Sequence, residues 1–117
     1  MERPENLSDT EFTERLRRAL EPVLPNGPSL IPLDILVVVA TAHHAGQPLS
    51  MKELMAVLPY SATGIRYNLA QLIADGWISK ARHPTDRRLV SLIPSDRVAE
   101  AFAKVRAEFF RSSSGCN

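Results

Sequence analysis

A chain of 117 residues with 44% hydrophobic and 23% charged side chains has the composition of one soluble domain with a modest core. No segment approaches the roughly 18 consecutive apolar residues of a membrane span, and the charged start Met1-Glu2-Arg3-Pro4-Glu5 reads against a secretory signal, so a cytoplasmic location is expected. The single cysteine, Cys116, excludes an internal disulfide framework and a cysteine-rich zinc site.

The net charge is only +1, but it is unevenly spread. Residues 1–22 carry six acids and four bases, whereas residues 61–92 carry Arg66, Lys80, Arg82, Arg87 and Arg88 against Asp75 and Asp86. Local asymmetry bears on nucleic-acid binding more than the total does.

Ser8-Asp9-Thr10-Glu11 reads as a capping box that opens a helix to about Leu20, with Phe12, Leu16, Ala19 and Leu20 on one face. Pro22, Pro25, Asn26-Gly27 and Pro28 then forbid regular structure. Residues 1–28 are therefore an N-terminal helix and a Pro-rich linker. The apolar stripe either packs on its own core or meets a second subunit.

A second helix is expected from Ser29 or Pro32, since proline suits a first turn. Its run Leu33, Ile35 to Ala40 is apolar nearly all round, which marks a central buried helix; the β-branched residues also allow a buried strand. The proline start and the cap at Gly46 favour helix. His43 and His44 are adjacent, point to different faces and have no acid or cysteine cluster nearby, so they read as favourable charges at a helix C-terminus rather than metal ligands.

Gln47-Pro48-Leu49 is a connector, and Ser50-Met51-Lys52-Glu53 is a second capping box opening a short helix stopped by Pro59. After a turn at Tyr60 comes the helix Ser61 to Asp75, ended by Gly76, with Ser61 as its N-cap. Ile65, Leu69, Leu72 and Ile73 form its buried stripe. Ser61, Thr63, Arg66, Tyr67, Asn68 and Gln71 form a polar face, small at the leading end and long behind it. That face is either ordinary solvated surface or a surface for a DNA major groove, small groups allowing close approach and long ones reaching base edges. Two helices joined by so short a turn form a helix-turn-helix.

Trp77 to Arg82 reads as a strand with Trp77, Ser79 and Ala81 on one face, His83-Pro84-Thr85-Asp86 as a turn, and Arg87 to Ile93 as the returning strand. This hairpin is a wing whose Lys80, Arg82, Arg87 and Arg88 suit phosphate and minor-groove contact. The plainer alternative is a solvated turn with Asp86 paired to an arginine. Ser95 is expected to cap a last helix over 95–111, with Val98, Ala101, Phe102, Val105 and Phe109 at helical spacing to finish the core or build a dimer contact. Residues 112–117 read as a flexible tail in which Cys116 is chemically ordinary. The fold class is thus mainly α with a small β-hairpin wing, a winged helix-turn-helix over 29–94.

Leu49 to Leu54, Ser61 to Gly76, and Pro84 to Leu92 together resemble the core of MarR-family transcriptional regulators, above all in Leu72-x-x-x-Gly76-Trp77-Ile78 followed by Asp86-Arg87-Arg88. The resemblance covers roughly residues 30–94. It implies a homodimer on pseudo-palindromic double-stranded DNA, with Arg88 in the minor groove and Asp86 orienting the wing. It also allows a small-molecule effector, which no residue here identifies. Tyr67, with Arg66 beside it, stands where the family often has arginine, so base preference does not transfer. Ile93-Pro94 replaces the family's common Leu-Thr, the stretch after Arg88 is shorter than usual, and the terminal helices are abbreviated. A winged-helix protein–protein module without DNA binding is the alternative function. An enzyme is not expected, since no phosphate loop, nucleophile–base pair, cofactor motif or metal-ligand set is legible.

Overall fold

The computed structural model describes residues 10, 11, 16, 18, 29–82 and 85–114, with backbone alone at 108, 109 and 111–114. The elements from residue 29 onward are α1 (Ile31–His44), α2 (Met51–Val57), α3 (Ala62–Ala74), β1 (Ile78–Arg82), β2 (Val90–Pro94) and α4 (Asp96–Ser114). Thr10, Glu11, Leu16 and Arg18 are helical, as expected for that segment. The rest of its capping box and stripe, the Pro-rich linker, His83, Pro84 and Cys116 lie outside the described residues.

The β-branched run of α1 is helix and not strand, because Pro32 occupies the first turn, where a missing N–H costs no hydrogen bond. Ile35, Leu36 and Val39 are fully buried and form the centre of the core. The helix is central and buried as expected, but one side is open: Val37 is 43% exposed, and Thr41 on the same side turns its hydroxyl back to the Val37 carbonyl at 2.7 Å. The helix ends in a Schellman motif, with Gly46 N–H on His43 O at 3.0 Å and Gln47 N–H on Ala42 O at 3.0 Å. Gly46 supplies the required positive φ of 78°.

Ser50 and Glu53 make both hydrogen bonds of the capping box that starts α2, at 3.2 Å and 2.9 Å. The connector before it has a second task. Leu49 O accepts from Leu92 N–H at 2.8 Å, and Ser50 bridges Ser91, so this segment lies along β2 as a third edge of the small sheet.

β1 and β2 pair antiparallel from Ile78 opposite Pro94 to Arg82 opposite Val90. The face that carries Trp77, Ser79 and Ala81 is not buried along its length. Trp77 and Ile78 are buried, while Ser79, Lys80, Ala81 and Arg82 are exposed. On β1 only Ile78 meets the core, whereas on β2 Ser91 and Leu92 are buried opposite the exposed Ala81 and Lys80. The return strand starts at Val90 rather than Arg87, since Arg87 to Leu89 remain in the turn.

In α4, Val98 and Ala101 are buried in the core, with Phe102 and Val105 packed partly against it. The helix runs to Ser114, past the expected end near Arg111. Ser95 does not cap it through its side chain: the hydroxyl is buried with no hydrogen-bond partner among the described residues, and the first turn is closed by Val98 N–H on Ser95 O at 3.0 Å.

Candidate nucleic-acid interface

The polar surface of α3 depends on how firmly its other side is held. Ile65, Leu69 and Leu72 are fully buried, each contributing roughly 1.5–3 kcal/mol of burial free energy. Ser61 caps the start, its hydroxyl accepting from Gly64 N–H at 3.0 Å. Gly64 allows close approach here: a Cβ on it would lie 3.2 Å from Ser61 Oγ and 3.7 Å from Ile31 Cδ1.

At the far end Gly76 takes φ 82° and completes a second Schellman motif, with Gly76 N–H on Ile73 O at 3.1 Å and Trp77 N–H on Leu72 O at 2.9 Å.

With that side fixed, Ser61, Thr63, Arg66 and Tyr67 are exposed and Gln71 is half-buried on the outer face. Tyr67 is 63% exposed, and its hydroxyl accepts from Gln71 Nε2 at 3.5 Å, one turn along. Asn68 does not join them. It is buried, and its side-chain amide donates to Gly64 O at 2.8 Å, so it serves the helix rather than the open face. Its position beside the Ile65–Leu69 stripe decides this, an edge effect that spacing alone leaves open.

The wing is ordered by its own arginines. Arg82 Nη1 donates to Arg87 O at 2.8 Å across the hairpin. Asp86 accepts from the backbone N–H of Arg88 at 3.1 Å, and its two oxygens take Nε and Nη2 of the same arginine at 3.2 Å and 3.3 Å. The Arg88 side chain is nonetheless 90% exposed. The carboxylate holds the Nε–Nη2 edge of the guanidinium while the side chain stays open to solvent. Lys80 and Arg87 are exposed on the same hairpin.

Two contacts that hold α3 are not legible from spacing. Tyr60, in the turn before α3, donates its hydroxyl to the Asp34 carboxylate in the first turn of α1. That bond, with burial second, raises the Tyr60 pKa above its ordinary value. At the other end, Arg97 Nη1 donates to Asp75 O at 2.6 Å, and its guanidinium lies 4.1 Å from the centre of the Trp77 ring. Among the described residues no group of His, Cys, Asp or Glu could hold a metal, and no helix is long and apolar enough to cross a membrane.

A short helix, a tight turn, a helix with an open polar face and a basic hairpin define a winged helix-turn-helix protein. The MarR family profile matches residues 29–89, and the chain belongs to that family. No curated protein sequence matches it significantly. Solved structures agree on the fold. The transcriptional regulator Tm0710 from Thermotoga maritima is 22% identical with a TM-score of 0.65, over 84% of this chain and 64% of that one. RV1404 from Mycobacterium tuberculosis is 16% identical with a TM-score of 0.73, over 88% of this chain and 67% of its own. A MarR variant from E. coli in complex with operator DNA is 17% identical with a TM-score of 0.63, over 87% of this chain and 71% of its own. The chain thus spans about two thirds of the length of these relatives.

Proposed function

We propose that the protein binds double-stranded DNA sequence-specifically as a homodimeric transcriptional regulator in the cytoplasm. In this reading α3 lies in the major groove and the wing over 80–90 meets the adjacent minor groove. Ser61 and Thr63 approach phosphate, while Arg66, Tyr67 and Gln71 reach base edges. Lys80, Arg82 and Arg87 neutralise phosphate, and Arg88, oriented by Asp86, enters the minor groove. Asn68 has no base to read and supports the helix from within.

The observation that carries the reading is the pairing of two features: an outer face of α3 free of large aliphatic side chains, and an Arg88 side chain held by Asp86 along one edge of its guanidinium yet 90% exposed. Family membership and the operator complex of the E. coli relative add support. Dimerisation is assigned to the segments over 8–20 and 95–111, the second supported by Phe102 and Val105, which are only partly covered within one chain.

Selection from a randomised duplex library tests the specificity. Enrichment of two inverted half-sites about one helical turn apart supports the reading. Recovery of no motif, with a monomeric mass by light scattering at tens of micromolar, contradicts it and favours a protein-contact role.

A further inference from the structure

The end of α3, the root of the wing and the start of α4 meet at one side chain. Arg97 lies in the first turn of α4, outside the surface assigned to DNA. Its Nη1 donates to Asp75 O at 2.6 Å, and its guanidinium covers the Trp77 ring at 4.1 Å. The last carbonyls of a helix lack intrahelical donors, and positive charge is favoured beside them. An indole face attracts a guanidinium through its quadrupole. One planar group meets all three conditions. The backbone adds a parallel tie, Ser95 N–H donating to Trp77 O at 2.9 Å. Trp77 is itself buried and leads directly into β1, so whatever sets its position also sets the root of the wing.

We propose that Arg97 is a positioning residue for DNA binding, fixing α3 and the wing against α4 without touching the nucleic acid. The proposal rests on the DNA-binding reading above. A displacement of α4 then reaches both DNA-facing elements through the Arg97–Asp75–Trp77 contact. The competing role, a direct phosphate contact, differs in its response to salt, because each lost phosphate contact lowers the slope of log affinity against log salt by about 1.

The test is fluorescence anisotropy of a labelled mixed-sequence duplex at several salt concentrations, for wild type and Arg97→Gln. Emission of Trp77, the single tryptophan, is recorded without DNA. The expected result is a loss of about threefold to thirtyfold in affinity, an unchanged salt slope, and a changed Trp77 emission. Arg97→Met, whose stem still covers the indole, carries the same readouts if the glutamine variant does not fold. A slope reduced by about 1 with unaltered emission makes Arg97 a phosphate ligand and overturns the proposal. Unchanged affinity in a folded variant overturns it while the DNA-binding reading stands. Absence of wild-type binding at low salt overturns both.

Discussion

The hydroxyl of Tyr60 donates to the carboxylate of Asp34, tying the turn that enters α3 to the first turn of α1 across 26 residues of sequence. Because this contact raises the Tyr60 pKa, its stabilisation is full below the ordinary tyrosine pKa of about 10 and is lost as pH rises through the higher folded value. Tyr60→Phe is expected to melt below wild type at neutral pH, with the gap closing in strong alkali. Thermal melts from pH 7 to pH 11 measure this; a gap that stays constant with pH contradicts the account.

Asp86 and Arg88 form an exposed pair, so the ion pair itself contributes at most about 1 kcal/mol to stability. Asp86→Ala should leave the melting temperature nearly unchanged and still weaken duplex binding, because Arg88 loses the carboxylate that orients its guanidinium. Equal affinity for the two proteins would show that the wing needs no orienting group.

Gly76 sits at φ 82° with open space where a side chain would go, so a substitution is opposed by backbone strain and not by crowding. Gly76→Ala is expected to destabilise by about 1–2 kcal/mol in denaturant titration. A neutral result would mean that the end of α3 relaxes at no cost.

Ser91 is buried at 1% exposure, and its hydroxyl has no hydrogen-bond partner among the described residues. Ser91→Ala removes an unsatisfied polar atom and should stabilise by about 1 kcal/mol, read as a higher denaturation midpoint at unchanged slope. Destabilisation would reveal a partner for that hydroxyl.

Local chemistry carried most of the fold in readable form. Ser50 with Glu53, Ser61 with Gly64, and Gly46 and Gly76 at helix ends act through residues close in sequence, so propensity and capping rules reach them. The misreadings arise where tertiary placement decides. Alternation places Trp77, Ser79 and Ala81 on one face of β1 but says nothing of where the core stops, and Ser79 and Ala81 lie exposed. Asn68 sits at the edge of a stripe, where spacing leaves burial open. Ser95 has the residue type and place of a cap, yet its hydroxyl is buried without a partner among the described residues. The two contacts that steady α3, Tyr60 with Asp34 and Arg97 with Asp75 and Trp77, join residues about twenty or more positions apart and leave no periodic trace.

The central claim is that α3 and the basic wing bind DNA together, and salt-dependent anisotropy of a mixed-sequence duplex tests it most directly, with wild type beside Arg88→Ala. The account predicts wild-type affinity that falls steeply with salt, and a variant that binds more weakly with a slope smaller by about 1. No wild-type binding at low salt, or an Arg88→Ala variant indistinguishable from it, would contradict the claim.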